Sequence, residues 1–442
     1  MSSTDPSSPG LARICLIAGL LALFIRNVPL SFLLPIWAHG DEIGHLDCIM
    51  KIGRGKVPFP GDRIESALFL FHRARWDGRI MSEKGGRAPQ RVEDLGLAGY
   101  SYEASQPPLP HILLALARWP LKGLGLQLQV HLLRCISSLV VSLGLLAIFL
   151  FLKRRPHLGF LFTAPLLFIP LLAHDTFFSI NTDVFSFLFG TLALLSMFRL
   201  AEDVRPVRNW VWVSLWISCA LWTKTVNAFL LILWILLAAW LLAKIRNLRI
   251  AARMALFGTF TLILSAPWYI FNYLRFSHPF IMSELPYPLI PSPAFSLASV
   301  INFFKAFLTT LFRGEFFWHG RYFDPLPQPI HSWIVFWVPA ALMVIGTIAA
   351  LSDRRPERRM KALTAGLAIT GIVVILAAYI ILGQVGFYNA RYTFAGLILW
   401  VLLWACGWRA LIPEKTLALV IPAAWLAFYS VLYSVKLLQA IS

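Results

Sequence analysis

Eleven stretches of mostly apolar residues, bounded by charged, Pro or Gly-containing joints, set the rhythm of the chain. They run near 11–37, 130–152, 158–173, 183–200, 209–223, 226–243, 251–271, 331–351, 362–382, 393–411 and 416–436. A helix crossing a bilayer needs about 20 such residues, because its backbone polar groups find no partner in hydrocarbon and must bond within the segment. The pattern therefore predicts an all-α integral membrane protein with eleven transmembrane helices. The first run is too long for a signal peptide and no small-residue cleavage site follows it, so it reads as a retained helix. Residues 1–10, MSSTDPSSPG, read as a disordered tail, and 11–442 as a single transmembrane domain.

The polar joints alternate. Basic clusters fall at Lys153, Arg154 and Arg155; at Arg199, Arg205 and Arg208; at Lys244, Arg246, Arg249 and Arg253; at Arg354, Arg355, Arg358, Arg359 and Lys361; and at Arg409 and Lys415. With the N-terminus inside, every one of them lies on the cytoplasmic side, as the positive-inside rule asks. The same parity puts two long segments outside, 38–129 and 275–330. Within the first, QPPLPHILLAL at 106–116 is a proline-started amphipathic turn too short to cross, which suits an interfacial helix, with Ser105 as a candidate N-cap. The second is rich in Phe and Trp, as in EFFWHGRYFDP, and suits the headgroup level.

Composition agrees with a membrane protein. Of 442 residues, 58% are hydrophobic and 14% charged, against roughly 45–50% and about 25% in soluble domains. The net charge of +18 would suggest nucleic acid in a soluble chain, but here the excess sits in the cytoplasmic joints. The cysteines at 15, 48, 135, 219 and 406 form neither a disulfide framework nor a zinc spacing. Neither a P-loop nor GxGxxG, HExxH or GxSxG motifs occur, so nucleotide chemistry of the soluble kind has no support.

Chemistry-bearing residues gather at the expected outer joints. Asp41, Glu42 and His45 emerge where the first span meets water, a setting in which a carboxylate can be partly desolvated and act as a general base; a solvated helix end would carry the same residues. Glu103 and Gln106 precede the di-proline Pro107–Pro108, which holds them rigidly or simply joins a loop to a helix. Asn181 and Asp183 open the fourth span, where an acid also complements a helix N-terminus. Lys224 lies between two apolar runs, and Arg275, Arg391 and Tyr392 stand at outer span ends beside aromatics. An arginine there offers a fork for phosphate oxygens or an interfacial anchor.

Taken in order, DEIGH, YEASQPPLPHILLALA, SINTDVFSFLFGTLALL, LWTKTVNAFLL, APWYIFNYLRFSHPF and QVGFYNARY resemble the polyprenyl-phosphate-dependent glycosyltransferases of the GT-C superfamily. The likeness is to bacterial members related to protein O-mannosyltransferases and the lipid A aminoarabinose transferase. It implies a GT-C fold with interfacial helices in the first outer loop and a cavity open to the periplasm. Asp41 would then be the general base, with Glu42 beside it as second choice. The donor would be a sugar on a polyprenyl phosphate, its leaving phosphate held by Arg391, Lys224 and Arg275. His45, Glu103, Gln106, Asn181, Asp183 and Tyr392 would bind substrate or support the site, and the acceptor would be a glycan, lipid or protein hydroxyl. Direct displacement with one base implies inversion. Some relatives use a divalent metal, and Asp41, Glu42 and Glu103 offer oxygens to Mg or Mn without requiring it. No nucleic acid partner is implied. The location expected is a bacterial cytoplasmic membrane, N-terminus inside and site facing the periplasm; the chain has no Asn-x-Ser/Thr sequon. It departs from the family in having Pro110 and His111 after the di-proline, and in placing Arg275 three residues beyond Asn272. A polytopic transporter or lipid flippase is the rival reading, with Lys224 and Asp183 marking a path, although no internal repeat is visible.

Overall fold

The computed structural model describes residues 8–34, 41–59, 61–74, 90–91, 94, 99–155, 158–172, 175–277, 296–304, 317–318, 321–322, 337–352, 358–382, 394–412 and 415–441. Their helices are α1 (Ser8–Leu33), α2 (Glu42–Ile52), α3 (Ser66–Ala74), α4 (Leu109–Arg118), α5 (Leu126–Lys153), α6 (Gly159–Leu171) and α7 (Asp183–Glu202). There follow α8 (Val207–Leu221), α9 (Ala228–Ile245), α10 (Leu248–Phe276), α11 (Val338–Ser352), α12 (Arg358–Leu382), α13 (Leu397–Leu411) and α14 (Lys415–Ile441). A two-residue antiparallel ladder, Phe317–Trp318 with Arg321–Tyr322, lies in the second long segment.

Each of the eleven apolar runs carries a helix. Among the described residues, seven helices are long and apolar enough to cross a membrane, namely α1, α5, α7, α10, α13, α14 and α9 with the turn before it. The others are shorter where described: α6 has 13 residues, α8 and α11 have 15 each, and the apolar part of α12 is Leu363–Ala377. The chain is thus a multi-span helical membrane protein, in which seven helices meet the length requirement unaided.

Hydrophobicity in a membrane does not drive helices together, so the interior is set by close fit. α13 is buried from Leu397 to Gly407 and packs between α11 and α6. It crosses α11 at two glycines: a Cβ on Gly346 would lie 1.9 Å from the Leu403 carbonyl oxygen, and one on Gly407 would lie 2.0 Å from that of Leu342. Only glycine permits such an approach. At the α1–α6 crossing, a Cβ on Gly19 would lie 2.2 Å from the Leu166 oxygen. α10 is peripheral, with only 22% of its membrane-length window enclosed.

The two ends of the bundle differ in chemistry. At one, Arg155 pairs with Glu202, and Arg253 donates to the Val204 and Arg205 carbonyls at 3.1 and 2.7 Å. The basic joints after α5, after α7 and before α10 meet there. At the other end, α2, α3 and α4 cover the C-terminal end of α1 and the N-terminal end of α5. Phe59 from this cover stacks on Phe271 and meets Phe276 edge-on, which ties it to the end of α10. The described residues between α1 and α5 therefore fold as a small helical cap. α4 buries Pro110, His111, Leu114, Ala115 and Arg118 and exposes Leu116 and the following Trp119.

Candidate functional site

The cap brings together residues that are far apart in sequence. Asp41 occupies the N-cap position of α2, and its backbone oxygen accepts from the His45 N–H at 3.1 Å. Its half-buried carboxylate accepts a hydrogen bond from the Tyr102 hydroxyl at 3.2 Å. Glu42, the next residue, points inward and is fully buried. Both of its oxygens accept from Arg134 of α5, at 2.7 and 2.6 Å, and one also accepts from the Ile180 N–H at 3.2 Å. Arg134 is itself buried and turns its Nη1 to the Ser31 and Leu34 carbonyls at 3.1 and 2.9 Å, satisfying the last oxygens of α1. One guanidinium thus fixes the end of α1, the start of α2 and the turn before α7.

The second strand of the network comes from α4 and the turn before it. A Cβ on Gly44 would stand 2.8 Å from Glu103 Cγ, so the Tyr102–Ser105 turn rests directly on α2. Glu103 Oε2 accepts from Gln106 Nε2 at 2.5 Å and lies 3.5 Å from His45 Nδ1. The same His45 nitrogen is 3.0 Å from His111 Nε2. Burial, and then the nearby Lys224 ammonium, push His111 down to about 4, so it is neutral at pH 7. The adjacent Glu103 carboxylate favours the shared proton on His45 Nδ1, with His111 Nε2 accepting. Gln106 Oε1 accepts from the Thr182 hydroxyl at 2.9 Å, which links this turn to α7.

Lys224 sits in extended backbone between α8 and α9 and forms a buried ion pair with Asp183 in the first turn of α7. Asn181 serves the same joint: its Oδ1 accepts from the Asp183 and Val184 N–H groups at 2.8 and 3.3 Å, and its Nδ2 donates to the Thr176 and Ser179 carbonyls at 2.7 and 3.1 Å. It is a helix cap by geometry. The Leu109 N–H at the start of α4 donates to the Trp222 carbonyl at 3.2 Å, which docks the cap on the α8–α9 joint. Ser105 is not the N-cap of α4; Pro108 holds that position, and the freed N–H finds Trp222 instead of a side chain.

Away from this network, the cap is braced by Lys51, which pairs with Asp47 at 3.1 Å and donates to the Arg63 carbonyl at 2.8 Å. Burial pushes the Asp47 carboxyl up, against the opposing pull of Ser101 and Lys51.

Of the residues singled out in the sequence, Asp41, Glu42, His45, Glu103, Gln106, Asn181, Asp183 and Lys224 thus share one end of the bundle. Arg275 does not join them; it is exposed, with its guanidinium 5.6 Å from the centre of the Phe59 ring, the arrangement of an interfacial anchor. Arg391 and Tyr392 lie outside the described residues. The sequence reading missed Arg134, although a lone arginine in LQLQVHLLRCISSLVV is an ionisable residue inside an apolar span and marks itself by that. It also passed over Tyr102 and Thr182. For a divalent cation the fit is poor: Arg134 occupies both Glu42 oxygens, and no three His, Cys, Asp or Glu side chains converge on a metal position among the described residues. Comparison of the chain with protein-family models, with curated proteins and with solved structures gives no match.

Proposed function

We propose that the protein is a membrane glycosyltransferase of the GT-C type, which moves a sugar from a polyprenyl phosphate to an acceptor hydroxyl at the capped end of the bundle. The observation that carries this reading is the convergence of Asp41, Glu103, His45, His111 and the Lys224–Asp183 pair beneath one cap, at the end opposite the basic joints. By the positive-inside rule that end faces away from the cytoplasm, in a bacterial cell into the periplasm.

In this mechanism Asp41 is the base, because Glu42 is neutralised by Arg134 and held away from solvent. The Asp41 carboxylate takes the acceptor's proton as the acceptor oxygen forms its bond to the anomeric carbon. The bond from that carbon to the phosphate oxygen breaks, its electron pair leaves with the polyprenyl phosphate, and the configuration inverts. Tyr102 orients the carboxylate. Lys224, a buried cation beside Asp183, contributes to holding the departing phosphate together with Arg391, a fixed electrostatic contribution. Arg275 is left with at most an outer contact to the carrier, given its place on Phe59.

The test compares lipid extracts by mass spectrometry from cells carrying the wild-type chain, a deletion, and Asp41→Asn. One polyprenyl phosphosugar should accumulate in both mutants. Accumulation in the deletion alone would remove Asp41 as the base, and no change in either would favour a transporter or flippase.

A further inference from the structure

Arg26 lies in α1, seven residues before its end at Leu33, or roughly 10 Å along the axis. Its Nε donates to Asn27 Oδ1 at 2.8 Å, and its Nη1 to the Leu172 carbonyl at 2.7 Å and to Ser430 Oγ of α14 at 2.8 Å. All three partners are neutral. The Nη2 is enclosed and has no hydrogen-bond partner, and among the described residues no carboxylate pairs with this guanidinium. Arg134, a buried arginine near this end, has Glu42 for that purpose.

Some of the charge is answered. Leu172 is the C-cap of α6, so its oxygen stands at the negative end of that helix, which amounts to about half a charge. Half a charge and one directed donor remain, within a membrane-spanning helix. An arginine so placed is costly and marks a functional site by default. The contact between α1 and α14 is light, and Ile25 and Val431, next to Arg26 and Ser430 in sequence, are 72% and 63% exposed.

We propose that Arg26 anchors a phosphate-binding site at the α1–α14 seam. The planar guanidinium fork matches phosphate oxygens, with Nη2 as the available donor. Its depth, within two turns of the capped end, puts it in reach of a lipid phosphate of that leaflet, whose chains would lie along Ile25 and Val431. The site stands independently of the transferase reading.

The test uses the full chain, purified in detergent, with co-purifying phospholipid measured by native mass spectrometry. Wild type should retain about one phosphate-bearing lipid per chain, Arg26→Lys part of it, and Arg26→Gln at least about tenfold less, the scale of a lost charge-assisted hydrogen bond. Val431→Trp, which narrows the seam without touching the guanidinium, should also lose lipid while keeping the wild-type melting temperature. A second arm adds inorganic phosphate to delipidated protein. Protection of wild type and not Arg26→Gln by inorganic phosphate, without retained lipid, would assign the same site to a soluble phosphate. Equal lipid retention and equal phosphate response in wild type, Arg26→Gln and Val431→Trp would overturn the proposal.

Discussion

Replacing Arg134 with Met would cut three attachments at once. The Glu42 carboxylate, 0% exposed, would lose both charge-assisted hydrogen bonds, the Leu34 carbonyl would lose its Arg134 donor, and the Ser31 carbonyl would be left with its contact to His131 Nδ1 at 2.6 Å. Removing one partner of a buried ion pair costs about 3–5 kcal/mol, because the remaining charge stays unpaired in a low dielectric. That is about a fifth or more of a typical folding free energy of about 5–15 kcal/mol. Removing both charges is a different matter: two groups of apolar volume in place of a buried pair are often neutral or better. The double variant Glu42→Leu with Arg134→Met should therefore be more stable than Arg134→Met alone by about 2 kcal/mol or more. Thermal unfolding of the purified chain in detergent, followed by monodispersity on size exclusion, orders wild type, the two single variants and the double. Should Arg134→Met melt within experimental scatter of wild type, or the double variant fall below both single variants, the account of this clamp is wrong. Under the transferase reading the rescued double variant should still turn over donor at least about tenfold more slowly, since restored stability does not restore the setting of Asp41.

Gly407→Leu should prevent close approach of α13 and α11, where even a Cβ would lie 2.0 Å from a carbonyl oxygen; the expected result is loss of monodisperse protein, while Gly366→Leu, with nothing within 4 Å of its Cβ position, should be tolerated. His111 titrates at about 4 when folded against 6.5 ordinarily, so the unfolded chain binds the extra proton between those values. Stability should then fall as pH drops from about 6.5 to about 4, by up to about 3 kcal/mol, and level off below, whereas His111→Gln should flatten that part of the melting-temperature profile. Asp183→Asn leaves Lys224 buried beside a neutral amide and should lower the melting temperature markedly; Asp183→Asn with Lys224→Met should recover most of the loss.

The helices were legible because a bilayer makes hydrophobic length a requirement on each segment separately; each apolar run does hold a helix, and seven of those helices reach membrane-spanning length. The site was legible in its members but not in its pairing. Asp183 and Lys224 read as two separate candidates, and only the packing of the α8–α9 joint against α7 makes them one ion pair. Asp41 and Glu42 are neighbours of identical chemistry, and the first turn of α2 separates them, turning one to the Tyr102 hydroxyl and the other into the bundle. Arg134 was hidden by the hydrophobic average of the run around it, and its role depends on carbonyls of α1 that no side-chain pattern reports. Asn181, expected to bind substrate or support the site, makes local bonds at the start of α7 that no residue pattern reports.

The Arg134 clamp also sets an order of assembly. Glu42 leaves the ribosome 92 residues before the arginine that neutralises it. Until α5 has entered the membrane, the carboxylate and the free carbonyls at the end of α1 must stay hydrated, and the stretch between them has no fixed base on which to settle. The cap therefore closes only after α5 is in place, and a chain arrested before Arg134 should hold an inserted α1 beneath a cap segment open to protease.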